Sequence, residues 1–331
     1  MNVATSAAPL GVLLVNTGTP DAPRPAEVRQ FLRRFLGDPR VVELPRLLWL
    51  PLLHGLVLPL RARRSAANYL RIWRNEGSPL AVFSARLREA LELELEQQLP
   101  QGVMIESAFL YSRPFVDTAL QKLRDAGARQ IVVLPLFPQN SGATAGAVYD
   151  QVGTVLRHWR NLPSLRLISD YHAAPGYIDA LANSLREHWQ QHGRLQHLLI
   201  SFHGLPQRYV QQGDPYAQQC AATAQQLAAA LDLGAGDWSL SYQSRFGRAR
   251  WLGPATDRVL AQLPAQGVRA VTVVCPGFAV DCLETLEEIA IGGREIFMHA
   301  GGQQFHYAPC LNARADHAQA LAGLVLASPA R

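Results

Sequence analysis

Three stretches of this chain occur twice, in the same order, and each is an apolar run or its continuation into a turn. LLVNTGTP at 13–20 is matched by LLISFHGLP at 198–206, and ARQIVVLPLFPQ at 128–139 by VRAVTVVCPGFA at 268–279. VMIESAFLYSRP at 103–114 lies between the first members of those pairs, and WSLSYQSRFG at 238–247 between the second. The runs have the length of strands and are bounded by Gly and Pro, while the segments between them carry helical spacing. Strands alternating with helical crossovers build a parallel sheet. The repetition therefore predicts two like α/β units, divided as 1–140 and 141–331, with the last helix packing back on the first unit. Strands are expected at 11–15, 103–110, 130–136, 165–169, 197–202, 238–243 and 269–275. Helices are expected at 25–36, 65–75, 80–98, 116–126, 143–159, 177–191, 215–231, 254–263, 281–298 and 313–326.

In open parallel sheets, ligands bind beyond the carboxyl ends of the strands. His203 stands at such an end, in Ser201-Phe202-His203-Gly204-Leu205-Pro206-Gln207, directly after Leu198-Leu199-Ile200. Glu284 occurs 81 residues later, in Pro276-Gly277-Phe278-Ala279-Val280-Asp281-Cys282-Leu283-Glu284, after the strand that ends at Cys275. An imidazole nitrogen and carboxylate oxygens suit a first-row divalent metal, with Fe²⁺, Co²⁺ and Zn²⁺ all acceptable. Only two strong ligands emerge, so a metal held there is held weakly and can be handed on. The same pair can also take protons from a bound substrate. Asp281 reads as an N-cap, and Asp281, Glu284, Glu288 and Glu295 share one helical face. That face is either a solvated acidic stripe favoured by the helix dipole or part of the site.

Other chemistries lack their motifs. Asn16-Thr17-Gly18-Thr19-Pro20 after the first strand is no dinucleotide fingerprint, and neither a nucleophile elbow nor a Walker loop occurs. The net charge of +5 comes from scattered arginines, with Lys122 the only lysine, so nucleic-acid binding is not expected. Cys220, Cys275, Cys282 and Cys310 lack the spacing of zinc or redox sites and read as reduced thiols of a cytoplasmic protein. A four-cysteine iron–sulfur cluster is the other reading of the same residues. The first ten residues show no targeting segment. The apolar segment 47–60, LLWLPLLHGLVLPL, is too short to cross a bilayer. Its prolines argue against a continuous helix. It is either a core segment or a lip, rimmed by Arg61, Arg63 and Arg64, that rests on a membrane as a peripheral contact and takes up an apolar substrate.

Taken together, the motifs resemble those of ferrochelatases, in the form found in Gram-negative bacteria. The resemblance runs over nearly the whole length. It rests on LLVNTGTP at 13–20, FLRRFLGDPRVVELP at 31–45, LPLFPQNSGATAGAV at 134–148, SFHGLPQRYVQQGDPY at 201–216, YQSRFGRARWLGP at 242–254 and CPGFAVDCLETLEE at 275–288. FHYAPCLNARADHAQALAGLV at 305–325 fits as well. The resemblance implies two Rossmann-like, chelatase-type domains with parallel four-stranded sheets and a porphyrin clamped between them. It implies insertion of Fe²⁺ into protoporphyrin IX, the last step of protohaem synthesis, with iron as substrate and no cofactor. His203 matches the family's metal-site histidine and Glu284 its partner carboxylate. Thr17, Tyr111, Trp251, Phe278 and Asp281 match positions around the porphyrin, and Glu288 extends a polar path for protons or metal. Two departures stand out. Cys282 replaces a histidine common two residues before the glutamate, and Leu110-Tyr111 replaces Arg-Tyr, so a propionate contact must come from elsewhere, with Arg33 and Arg34 candidates by motif only. No extension carrying cysteines for a [2Fe–2S] cluster is expected after the last helix. A cobalt or sirohydrochlorin chelatase and a non-enzymatic haem or metal carrier are the alternatives.

Overall fold

The computed structural model describes residues 8–247 and 249–327. The N-terminal residues read for a targeting segment lie mostly outside that range. Eight strands form two sheets: β1 (Leu10–Asn16), β2 (Val103–Phe109), β3 (Gln130–Pro135) and β4 (Ser164–Leu167), then β5 (His197–His203), β6 (Trp238–Gln243), β7 (Ala270–Val274) and β8 (Gln304–Ala308). The sheet orders are β2-β1-β3-β4 and β6-β5-β7-β8, all parallel. The second order repeats the first strand for strand, and each pair of like motifs falls on equivalent strands. The division expected at 140/141 is corrected by β4: it pairs with β3, so the first sheet runs on to Leu167 and the change of sheet falls between Leu167 and His197. β8 is the strand the sequence reading lacks. Its five residues include His306 and Tyr307 and show no apolar run.

The period of two along β1 and β5 divides the core. Val12 and Leu14, with Leu198, Ile200 and Phe202, face a cluster common to both halves. Leu13 and Val15 face an N-terminal cluster, and Leu199 a C-terminal one. The common cluster is filled by four helices, Pro79–Glu96, Pro175–His192, Tyr216–Ala230 and Ala315–Leu326. The last of these packs against the helix Pro79–Glu96 of the first half.

The segment 46–72 is helical throughout, as Arg46–Leu52, a π-helical turn Leu53–Val57, and Leu58–Ile72. This corrects the expectation that its prolines break it. Pro59 falls in the first turn of the third piece, directly after the π-helical turn. Pro51 lies inside the first piece, just before the wider turn. The two readings of 47–60 divide by face. Trp49, Leu53 and Leu58 are buried, and Trp49 donates from Nε1 to the Leu36 carbonyl at 2.7 Å. Leu48, Leu52, Leu56 and Leu60 stand exposed at intervals of four, with Leu47 91% exposed beside them. No helix among the described residues is long and apolar enough to cross a membrane.

Candidate active site

In the order β6-β5-β7-β8 the chain leaves β5 for one neighbour and returns on its other side, so the crevice between β5 and β7 is the switch point where ligands bind. His203 is the last residue of β5. Its Nδ1 meets the Gly204 carbonyl at 2.6 Å. A carbonyl only accepts, so Nδ1 carries the proton and the Nε2 lone pair is left for a metal or a proton. The loop after it is zipped to the 243–252 segment: Gly204 N–H donates to the Gln243 carbonyl at 2.7 Å and Leu252 N–H to Leu205 at 2.8 Å. Gly204 is required there, because a Cβ would stand 2.7 Å from the Gln243 oxygen and 3.1 Å from the Trp251 ring.

Glu284 opens a second π-helix, Glu284–Gly293, after the turn that follows β7. Wide turns of this kind recur at functional sites. Asp281 is not its cap, since Leu283 holds that position without a side-chain hydrogen bond. What fixes Glu284 is Gln243, the β6 residue in register with His203, which donates from Nε2 to the Glu284 carbonyl at 2.7 Å. Glu288 accepts from Ser244 N–H at 2.7 Å and from the Ser244 hydroxyl. Ser244 holds a left-handed φ of 61° to make both contacts, a strain typical of functional positions. Burial raises the Glu288 pKa; the Ser244 donors and His203 draw it down, and Glu284 pushes it up. Glu288 therefore lies within electrostatic reach of both His203 and Glu284. Among the described residues no three His, Cys, Asp or Glu side chains gather as a ready metal cage.

The facing wall comes from the first half. Arg61, on the helix Leu58–Ile72, lies over the Phe246 ring at 5.2 Å. Burial lowers its pKa, and Glu284 and Glu288 hold it up. Tyr69, one helix face further on, is buried, and its hydroxyl is pushed well above the ordinary range first by burial and then by Glu284. Thr19, in the turn after β1, lies near that hydroxyl and draws it down, and its own hydroxyl donates to Ser78 Oγ at 2.7 Å. The carboxyl ends of β1, β5 and β7 thus converge on one cleft. Sequence reasoning placed Arg61 only on the rim of the lip and passed over Tyr69; Gln243 and Ser244 fall in the matched motif at 242–254, where they read as structural supports.

The expected porphyrin contacts separate. Phe278 is half-buried with its ring centroid 6.3 Å from that of His203. Trp251 is half-buried, packs on Phe246 at 4.9 Å, and lines a cavity of about 500 Å³ with Gln207, Arg245 and Arg250. Thr17 is half-buried just past β1, its N–H bonded to Asn16 Oδ1 at 2.7 Å. Two assignments are corrected. Tyr111 is 3% exposed, donates to Asp38 Oδ2 at 2.9 Å and packs on Phe35, inside the wall rather than on it. Asp281 is 3% exposed, and both its oxygens are taken, by Thr285 and Tyr307 hydroxyls on one and Asn312 Nδ2 on the other. It ties the start of the Glu284 segment to the loop after β8. Cys282 is buried too, and burial is the main cause that pushes its thiol well up.

The family model described as ferrochelatase matches residues 9–328. The chain belongs to the ferrochelatase family. A ferrochelatase of Thioalkalivibrio sulfidiphilus is 54% identical over 317 residues, covering 96% of this chain and 86% of that protein. One from Methylococcus capsulatus is 52% identical over 320 residues, covering 97% of each. Among solved structures, SirB from Bacillus subtilis with Fe³⁺ superposes with a TM-score of 0.56 at 11% identity, over 95% of this chain and 93% of SirB. CbiX, the terminal enzyme for siroheme biosynthesis in denitrifying bacteria, gives 0.51 at 14% identity, over 96% and 100%. At that identity the two structures speak for the ferrochelatase chain's fold alone, a two-sheet chelatase architecture.

Proposed function

We propose that this chain inserts Fe²⁺ into protoporphyrin IX, giving protohaem and releasing two protons. No oxidation state changes: two pyrrole N–H bonds break, and four nitrogen–iron contacts replace them. The reading is carried by His203 and Glu284, both fixed by Gln243 at the β5/β7 switch point and faced by Arg61 and Tyr69. His203 Nε2 accepts a pyrrole proton or ligates the arriving metal. The Glu284 carboxylate supports either step, and Glu288 passes charge outward along the Ser244 side. Phe278, Trp251 and Thr17 present surface to the macrocycle, and a rigid slot bends it so that its nitrogens become reachable. Arg61, a half-buried guanidinium with no salt bridge among the described residues, is the cation offered to a propionate.

The chain works in the cytoplasm without a cofactor of its own, and it meets a bilayer peripherally. The Leu48, Leu52, Leu56 and Leu60 stripe enters the apolar boundary, with Arg63 and Arg64 near the headgroups. The deciding experiment is an anaerobic assay of the purified protein with Fe²⁺ or Co²⁺ and with protoporphyrin, coproporphyrin or sirohydrochlorin. Appearance of the protohaem spectrum with Fe²⁺ and protoporphyrin is expected. Turnover restricted to sirohydrochlorin, or porphyrin binding without consumption of Fe²⁺, rejects the reading in favour of another chelatase or a carrier.

A further inference from the structure

The helix that carries the lip and the π-helix that carries Glu284 belong to different halves, yet they are tied side chain to side chain. Arg71 donates from Nη1 to Glu287 Oε1 at 2.9 Å and from Nη2 to Glu295 Oε1 at 2.9 Å. Asn68 donates from Nδ2 to the other Glu287 oxygen, Oε2, at 3.0 Å. Glu287 is the enclosed member, its side chain 13% exposed against 43% for Arg71. A carboxylate satisfied on both oxygens in so sheltered a place holds its partners in a defined geometry. On the π-helix Glu288 lies within electrostatic reach of His203, and both Glu284 and Glu288 within that of Arg61, while Glu287, between them in sequence, accepts from Asn68 and Arg71. Any displacement of the helix Leu58–Ile72 therefore pulls on the turn that holds Glu284.

We propose that Asn68, Arg71 and Glu287 form a latch that sets the width of the porphyrin slot. They are positioning residues: none touches the reacting atoms, and they act by fixing the lip helix against the Glu284 helix. The inference deepens the proposed function and rests on it. With the latch intact the slot keeps the width at which it grips and bends the macrocycle. With it broken the lip helix is free to swing, and the porphyrin is held less firmly while metal handling at His203 and Glu284 is unchanged.

The test compares Arg71→Met, Glu287→Ala, the double variant and Arg71→Lys in the full chain. Porphyrin affinity is read by fluorescence and KM is measured for each substrate. Arg71→Met is expected to raise the porphyrin Kd and KM about fivefold, the upper range for a partly exposed ion pair. The KM for Fe²⁺ stays within experimental error, Arg71→Lys recovers part of the loss, and the double variant is no worse than the poorer single one. Unchanged porphyrin affinity, additive losses in the double variant, or an equal rise in the KM for Fe²⁺ overturns the latch. Porphyrin affinity is measured without turnover. A failure of the latch thus shows as unaltered binding in a working enzyme, and a failure of the functional reading as absence of haem in the wild-type protein.

Discussion

Gln243 Nε2 lies 2.7 Å from the carbonyl oxygen of Glu284, and through that bond the end of β6 holds the first turn of the π-helix. The same side chain accepts at Oε1 from Ser201 Oγ at 2.7 Å, so one buried amide links β5, β6 and the segment after β7. Gln243→Leu removes the side-chain partner of the Glu284 carbonyl and leaves Ser201 Oγ with Thr256 Oγ1 at 2.8 Å as its remaining partner. The expected loss is about 1–3 kcal/mol of stability, with iron insertion falling further than the remaining folded fraction explains. Denaturant melts alongside activity per folded molecule check both.

His203→Ala removes the imidazole at the end of β5. Insertion is expected to be abolished while protoporphyrin affinity changes less than about threefold, because one small contact among many is lost. Anaerobic turnover and fluorescence titration of the same preparation separate these outcomes, and near-normal turnover would sink the assignment.

Glu288 binds its proton more tightly in the folded protein than in the unfolded chain, with burial the main cause. A carboxyl with a raised folded pKa contributes stability that is present below the unfolded value and lost as pH rises through the folded one. Glu288→Gln keeps an acceptor for the Ser244 donors but never ionises. It is expected to melt higher than the wild type at pH 8, with the difference shrinking towards pH 5, and to insert iron more slowly. A melting difference independent of pH contradicts this.

Acid acts on the opposite sign at a second place. His188, His192 and His306 crowd together with ring centroids 4.7, 5.6 and 5.8 Å apart. Burial, helped by the neighbouring rings, lowers His188 to about 4 and lowers His306 as well. Fully buried His317 also falls to about 4, its Nδ1 bonded to the Asn312 carbonyl at 2.8 Å. Such groups take up protons first in the unfolded chain, so stability is full above pH 6.5 and is lost as pH falls towards 4. For His317 alone the loss is about 3 kcal/mol. His188→Leu and His317→Gln are expected to flatten the acid limb of stability between pH 6.5 and 4, read as melting temperature against pH.

Exposed Leu48 and Leu52 carry the proposed membrane contact. Changing both to Glu is expected to lower binding to anionic phosphatidylserine vesicles at least about tenfold, since two leucine insertions are worth roughly 1.5 kcal/mol or more each. Insertion of iron into detergent-dispersed porphyrin should change little. Co-sedimentation with vesicles is the measurement.

The residues that sequence made legible are those whose neighbours along the chain explain them. His203 follows an apolar run and precedes Gly204, so its place at a strand end was readable, and the paired motifs pointed to two like α/β units. Gln243 lies in a recognisable motif, but its bond to the residue 41 positions on does not show there; Tyr69, Arg61 and Arg71 act through partners as far as 224 positions away, and nothing local marks them. The prolines at 51 and 59 misled because their effect depends on where each turn begins. Asp281 and Tyr111 sit in recognisable motifs, but the hydrogen-bond partners that bury them, Asn312, Tyr307 and Asp38, come from other motifs.

The cluster shared by Val12, Leu14, Ile200 and Phe202 makes the duplicated units inseparable. Each repeat buries one face of its sheet by itself and the other only against its counterpart, so a bisected gene should yield fragments that remain insoluble until co-expressed. For the same reason breathing of the cleft has no hinge at its floor. Whatever yields when a planar guest enters or a bent one departs must do so at the brim.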